Sequence, residues 1–442
     1  MMTAAPLLVN PFHTTEPIRD PADFYGRKRE LRRVFELVEK GACVNVIGER
    51  RSGKTSLLYQ IAHPQVQARY LLQGERGPFI YLIGGLVPPE PQGFYFEVLR
   101  ALKEKEPSLP FELQDGKARE MELRQALEML SPRRLTILID EFEYIARNPQ
   151  FPLRFFGFLR GLSLQYDLSF VIATGKRLVD SCPQEVATSP FANIFTSVEI
   201  GSFTEEEFQE FLACNGERTG LPLVEIQEQI RRLAGYFPYL VQRACWFYFE
   251  EWREQKSFDD QVHQRVRHAF EEDVRPYFDA VWHRYLDDEE RQALLALVQG
   301  EQAPTRIIAR LERRGHLWQG EILSEPFADY IRRVGLNVPV DRGVWLDEDS
   351  GNVYLDGKLV DPPLTAKEFA FLRLLCRERG KIYSPYEIVR EVWGEDYIEE
   401  VDDYRISKLV SRLRCKIEPE GKPWKYVITV PGRGYKLGSG AS

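Results

Sequence analysis

The stretch that most narrows the fold is Gly48-Glu49-Arg50-Arg51-Ser52-Gly53-Lys54-Thr55. It satisfies the spacing GxxxxGK[ST] directly between the apolar run ACVNVI and the helix-forming SLLYQIA. Glycines at both ends of such a loop let the backbone wrap so that its amides point inward at a phosphate. The helix that follows adds the partial positive charge of its N-terminus. In this reading Lys54 reaches the β/γ-phosphates and Thr55 ligates Mg²⁺, with Gly48, Ser52, Gly53 and Ser56 completing the cradle.

Four further apolar runs alternate with helical stretches: FIYLI at 79 to 83, LTILI at 135 to 139, LSFVIA at 168 to 173 and SVEI at 197 to 200. Such alternation predicts a parallel sheet with crossover helices. LTILIDEFEYI carries an apolar strand straight into Asp140 and Glu141, the Walker B pattern. There Asp140 holds Mg²⁺ through water and Glu141 orients and deprotonates the attacking water. LSFVIA ends in Thr174-Gly175-Lys176-Arg177, polar and basic residues at the carboxyl edge where open α/β sheets bind ligands.

Beyond Phe203 the pattern turns helical. TEEEFQEFLACN opens with Thr204 and Glu207 in capping-box spacing, LVEIQEQIRRLAGYFPYLVQRACWFYFEEW keeps helical steps, and the acids at 287 to 290 suit a helix N-terminus. The break VGLNVPVDRG at 334 to 343 reads as a linker, followed by short strands, three helical segments and a hairpin around Pro431-Gly432. The third of those helices, about 402 to 417, has an apolar stripe of Ile406, Leu409, Val410, Leu413 and Ile417. Tyr404, Lys408, Ser411, Arg412 and Cys415 lie opposite it, as on a recognition helix offered to a major groove.

Charge sharpens that last reading. The 442 residues carry a net −8, a field that repels DNA, yet Tyr404 to Lys436 holds nine basic residues against two acidic ones. Length predicts about three domains, and 43% apolar with 29% charged residues excludes disorder as the main state. The start MMTAAPLLVNPFHTTEP has no basic n-region or apolar h-region, and no run of 18 uncharged apolar residues occurs. A cytoplasmic protein with no membrane partner is expected. Six cysteines without a CxxC pair and six histidines without metal spacing point away from disulfide frameworks and zinc.

Residues 10 to about 335 resemble STAND-type P-loop ATPases, relatives of the AAA+ and origin-recognition ATPases. NPFHTTEPIRDPADFYGRKREL matches their pre-loop GRxxEL element through Gly26, Arg27, Glu30 and Leu31. The resemblance implies ATP/ADP with Mg²⁺, with Gly26 and Arg27 beside the nucleotide. It also implies an inserted sensor strand between the P-loop and Walker B strands, with Thr174 and Arg177 sensing γ-phosphate. Gly235-Tyr236-Phe237-Pro238 stands for the lid GxP motif, one residue longer, placing Pro238 near adenine. Residues 266–334 become a structural lid-side winged helix. No arginine lies between Arg177 and Arg218, where AAA+ ATPases carry a finger. Hydrolysis lower by about 10³ to 10⁵ follows, and a switch rather than a motor.

The segments LTAKEFAFLRLL, SPYEIVREVWG, SRLRCKIEP and YVITVPGRGYKL resemble the OmpR/PhoB-type winged helix over about 95 residues. That family implies contacts to double-stranded DNA from Lys408, Ser411, Arg412, Arg414, Thr429 and Arg433, with Trp393, Tyr404 and Tyr435 flanking. Its loop before the recognition helix can face RNA polymerase. Here that loop, 394–403, carries six acids.

The expected architecture is multidomain α/β and α: a P-loop ATPase core at 1–203, helical lid at 204–265, lid-side winged helix at 266–334, linker at 335–342 and C-terminal winged helix with a small β-sheet at 343–442. The expected function is an ATP-binding, slowly hydrolysing switch that controls a DNA-binding winged helix in transcription, with a nucleotide-dependent homo-oligomer among the expected partners. Two alternatives stay open: a scaffold or defence sensor whose winged helix binds protein, and an ATP-dependent loading platform on DNA.

Overall fold

Strand and helix positions follow from which faces the apolar runs bury. The computed structural model describes residues 10–12, 16–71, 77–113, 116–335, 344–346, 353–355, 358–360, 362–378, 380–394, 403–418 and 423–438. The chain divides into two units, Met1–Ile331 and Arg332–Ser442.

In the first unit, β1 (Cys43–Ile47), β2 (Phe79–Ile83), β3 (Leu135–Asp140), β4 (Leu168–Thr174) and β5 (Phe195–Glu199) form one sheet in the order β2-β3-β4-β1-β5. Every neighbour pair is parallel. β4 thus lies between the phosphate-loop strand and the Asp140 strand, as the resemblance implies. The runs are continuously apolar because both faces are covered. Ile137, Ile139, Phe170 and Ile172 pack with Phe94, Phe155 and Leu159 on one face. Their alternating neighbours Leu138, Val171 and Ala173 pack with Val34, Leu57 and Ile61 on the other. The edge strand β5 starts two residues earlier than the SVEI pattern and buries only Val198 fully, because only one side pairs and alternation is weak.

The helical half begins at Glu205–Thr219, where Thr204 and Glu207 form the expected capping box. Helices Gln227–Ala234 and Pro238–Gln255 are separated by Gly235, whose φ of 58° ends the first, and by Pro238 at the first position of the second. Helix Asp260–Ala280 is capped by the Asp259 side chain on Val262 N at 2.8 Å and runs on without a break. The lid boundary expected between 265 and 266 therefore falls inside one helix. Helices Asp288–Val298 and Thr305–Arg313, the hairpin β6 (Leu317–Trp318) and β7 (Glu321–Ile322), and helix Glu325–Gly335 complete this half.

The second unit sets a meander of β8 (Val344–Leu346), β9 (Val353–Leu355) and β10 (Lys358–Leu359) with helices Ala366–Arg377, Pro385–Val392 and Asp403–Ile417. The hairpin β11 (Val427–Val430) and β12 (Gly434–Leu437) follows. Capping boxes at Thr365/Glu368 and Ser384/Glu387 start the first two helices. The linker expected at 335–342 lies, apart from Gly335, outside the described residues. Among described residues no helix is long and apolar enough to cross a membrane.

Tyr383 N donates to Tyr435 O at 2.8 Å and Tyr435 N returns the bond to Tyr383 O at 3.0 Å, pinning the hairpin to the helices. Gly434 makes this approach possible: its φ is 129° and a Cβ there would sit 2.0 Å from Tyr383 O. Gly434→Ala should destabilise the second unit by about 2 kcal/mol or more, from backbone strain and overpacking together. Urea unfolding of the variant tests this; a midpoint equal to the parent's would contradict it.

Candidate functional site

Parallel register brings four strand ends to one edge. Ile47 pairs Thr174, and Ile83 pairs Asp140, so the loop after β1, the acids after β3 and the turn after β4 converge there. Gly48 N donates to Thr174 O at 3.2 Å, fixing the loop's first residue to the sheet. A Cβ on Gly48 would lie 2.4 Å from Ser52 Oγ and 2.8 Å from Ile200 O, so only glycine fits. Arg51 (φ 64°) and Gly53 (φ 94°) take left-handed conformations that curl the loop. In the helix Lys54–Ala62 the ladder opens with Leu57 N to Gly53 O at 2.9 Å, leaving the amides before it at a positive helix end.

Lys54 Nζ donates to Gly48 O at 2.8 Å and Glu49 O at 3.0 Å. Burial holds its pKa below the ordinary lysine value, against the pull of Glu143, Asp140, Glu49 and Glu141. Ser52 Oγ is buried with no hydrogen-bond partner among the described residues. Ser56 Oγ accepts from Ile18 N at 2.9 Å, and Gln60 Nε2 donates to Ile18 O and Arg19 O, each at 3.2 Å. The segment before the core is thereby strapped to the loop helix.

Asp140 is buried at the end of β3, with Oδ2 accepting from Tyr81 Oη at 3.1 Å and Oδ1 from Glu141 N at 3.0 Å. Glu141 takes φ 50°, and burial, with Asp140 and Glu143 next in weight, raises its pKa above the usual carboxylate value. Thr174 Oγ1 lies 2.8 Å from Asn45 Oδ1 and 2.7 Å from Lys176 O, within reach to donate to either. Glu143 accepts from Gly175 N, tying the Walker B end to the turn after β4.

Lys54, Asp140, Glu141 and Thr174 thus share one edge with Thr55. Arg177, in the turn after β4, has a side chain 63% exposed, and its Nε meets Asp180 at 2.8 Å. Arg27 is almost fully buried, and its guanidinium donates to Gly201 O, Ser202 O and Ser52 O, bracing the loop from beneath. Gly26 takes φ 70°, and a Cβ there would lie 3.0 Å from the Glu207 carboxyl. Pro238 begins a helix whose next residue, Tyr239, has its ring 4.4 Å from the Arg51 guanidinium, which brings that helix to the loop. Sequence reasoning missed Tyr81, Asn45 and Glu143. It also missed Arg314, whose guanidinium pairs with Glu49 across 265 positions. Only the third acid of DEFE, Glu143, carried a signal in its spacing.

In the second unit Ile406, Leu409, Val410, Leu413 and Ile417 are buried, and Tyr404, Lys408, Ser411 and Arg412 are exposed on the same helix. Arg433 is exposed on the turn between β11 and β12. Arg414 differs. Its Nη2 donates to Val427 O at 2.5 Å and Thr429 Oγ1 at 2.8 Å, and its guanidinium stacks 4.6 Å from the Trp424 ring. It joins helix to hairpin beside a cleft of about 500 Å³ that Ser411, Thr429 and Tyr435 help to line. The Tyr435 ring meets Phe371 edge-on, and Trp393 is half-buried under Lys367. The acidic loop 394–403, apart from its ends, lies outside the described residues.

Residues 119–303 match the family described as Novel STAND NTPase 2, and residues 361–437 match Transcriptional regulatory protein, C terminal. Regulatory protein VanR of Enterococcus faecium is 33% identical over 101 residues, 23% of this chain and 42% of VanR. Transcriptional regulatory protein KdpE of Mycobacterium tuberculosis is 34% identical over 97 residues, 21% of this chain and 42% of KdpE. The chain thus spans less than half the length of these relatives. The Walker-type ATPase PABY2304 of Pyrococcus abyssi is similar over 73% of this chain and 99% of its own, at 16% identity and TM-score 0.45. The DNA-binding domain of CpxR from E. coli matches 24% of this chain and 97% of its own, at 30% identity and TM-score 0.20. The STAND match starts beyond the phosphate loop, so the loop's reading stands on its geometry. Together these matches show a chain that joins a STAND NTPase domain to an OmpR/PhoB-type DNA-binding domain.

Proposed function

We propose that the chain is a transcription regulator in which ATP, bound with Mg²⁺ at the carboxyl edge of the sheet and slowly hydrolysed, controls double-stranded DNA binding by the C-terminal winged helix. The observation that carries this reading is the convergence of Lys54, Thr55, Asp140, Glu141 and Thr174 around the curled loop. Ser52 Oγ, buried there without a partner, suits a phosphate ligand. Mg²⁺ would be held by Thr55 and, through water, Asp140, and supplies positive charge that neutralises phosphate oxygens. The residues divide the remaining work. Loop amides and Lys54 bind phosphate, Tyr81 orients Asp140, Glu141 takes the proton of water, and Thr174 reads the terminal phosphate. The raised pKa of Glu141 suits a base.

Lys54→Ala should abolish Mg-nucleotide binding, whereas Glu141→Gln should preserve it and stop turnover, because Glu141 acts only on water. A fluorescent nucleotide and a phosphate-release assay separate the two effects. Equal loss of binding would overturn the assignments.

On the DNA side, Arg412→Ala should lower affinity and reduce the slope of log K against log salt by about 1, as loss of a phosphate contact does. Arg414→Ala should weaken DNA binding with little change in slope, since its donors are engaged by the hairpin. Salt titrations on one duplex decide; a slope that falls for Arg414→Ala instead places that guanidinium on phosphate.

Control of one half by the other is the third expectation. From Gly343 onward seventeen acids nearly balance sixteen bases, so almost all of the −8 belongs to residues 1–342. That part is an electrostatic competitor for the basic face, and a nucleotide-driven change in it should alter DNA affinity by about 5- to 150-fold. Titration of DNA with the full chain under ATP analogue and ADP, and with a 343–442 fragment, measures this. Equal affinities of the full chain in both nucleotides rule out the switch.

A further inference from the structure

One buried contact links the phosphate loop to the far end of the first unit. The Arg314 guanidinium pairs with the Glu49 carboxylate through Nε and with Glu290 through Nη1, and donates from Nη2 to Tyr285 O at 2.6 Å. Side-chain exposures of 6% for Glu49, 18% for Arg314 and 1% for Glu290 keep solvent screening low. Glu290 is itself fixed as the third residue of a capping box, accepting from Asp287 N at 3.0 Å. The turn that carries Arg314 is pressed onto the core. A Cβ on Gly201 would lie 2.7 Å from Arg313 O, and one on Gly315 would lie 2.9 Å from Ser202 Oγ.

Glu49 is where this chain of charge meets the phosphate-binding lysine. Its carboxylate faces Arg314, while its carbonyl accepts from Lys54 Nζ at 3.0 Å. Anchoring the side chain restricts rotation of the residue and so fixes the direction of its carbonyl. We infer that Arg314 is a positioning residue for the phosphate loop, acting through Glu49 to hold Lys54 against the loop's own carbonyls. Phosphate must draw Lys54 away from those carbonyls, so the Arg314 contact acts as a brake on nucleotide binding. By reciprocity, bound nucleotide loosens Arg314 from Glu49 and frees the segment from Tyr285 to Ile322. The inference rests on the nucleotide reading of the loop, and adds to it the residue through which occupancy is felt elsewhere.

The test uses the full chain with Mg²⁺ and fluorescent analogues of ATP and ADP. Arg314→Lys retains the buried positive charge but cannot serve Glu49, Glu290 and Tyr285 O with one planar fork. Glu49→Gln removes the pair from the other side. Both variants should bind the ATP analogue at least about fivefold tighter, with a smaller gain for ADP. The double variant should be no tighter than the tighter single, since both cut one path. Hydrogen exchange of the 48–56 amides should quicken in the variants. A purely structural brace predicts otherwise: a lower melting temperature with unchanged ATP affinity, which overturns the inference, as does weaker ATP binding. Lys54→Ala runs alongside. If the parent binds nucleotide and Lys54→Ala does not, an unchanged Arg314→Lys sinks only the brake; if the parent binds none, both readings fall.

Discussion

Parallel pairing of β1 between β4 and β5 is the constraint on which the rest depends. A parallel strand cannot return by a tight turn, so each chain crossing carries a helix back and every strand ends at the same edge. Once Ile47 pairs Thr174, Gly48 has its amide bound to the sheet and its Cβ position filled by Ser52 and Ile200. The loop then curls through left-handed turns at Arg51 and Gly53. Asp140 and Glu141 arrive by the same register, one strand beyond β4. A one-residue slip in β3 would turn Leu138 onto the face that now holds Ile137 and Ile139, so hydrophobic burial guards the geometry of the acids.

The two helix-and-hairpin assemblies spend their arginines differently. On Thr305–Arg313 and the residue after it, Arg306 meets Glu289, Arg310 meets Asp287 and Glu290, Arg313 meets Glu199 and Arg314 meets Glu49 and Glu290. Those cations are neutralised within the chain, which suits an internal brace. On Asp403–Ile417, Lys408 and Arg412 are exposed instead, while Arg414 and Lys416 turn inward, to Val427 O and Glu368. Similar elements therefore differ in how far their cations are paired, and the difference lies in where acids stand nearby.

Local signals were readable because they are dictated by short-range physics. Apolar runs alternating with helical stretches announced a parallel sheet with crossover helices, Thr204/Glu207 and Thr365/Glu368 announced helix starts, and the glycines of the phosphate loop announced its curl. What escaped depends on distant partners. Whether Arg27 faces a ligand or three carbonyls is settled by Gly201 and Ser202, some 175 residues away. Arg414 is held by the hairpin, 13 and 15 residues on, whereas Arg177 is exposed and meets Asp180 within its own turn. A boundary at 265/266 followed from the family resemblance, yet the Asp259 cap starts a helix, Asp260–Ala280, that runs through it.

The energetics of buried ion pairs bear on why Glu49 should be an acid at all. Taking two charges from water offsets much of their attraction, so such a pair adds little net stability, and an apolar pair of equal volume could do as well. Losing one partner is another matter, because the survivor is a buried charge, at a cost of about 3–5 kcal/mol. Glu49, Arg314 and Glu290 therefore form an arrangement that is cheap to keep intact and costly to disturb by half measures. Such a contact favours two alternatives, fully engaged or fully parted and rehydrated, over gradual strain. That is the property a loop needs if a phosphate at Lys54 is to be felt at Tyr285 and beyond, and a hydrophobic pair in the same place would lack the dependence on nearby charge.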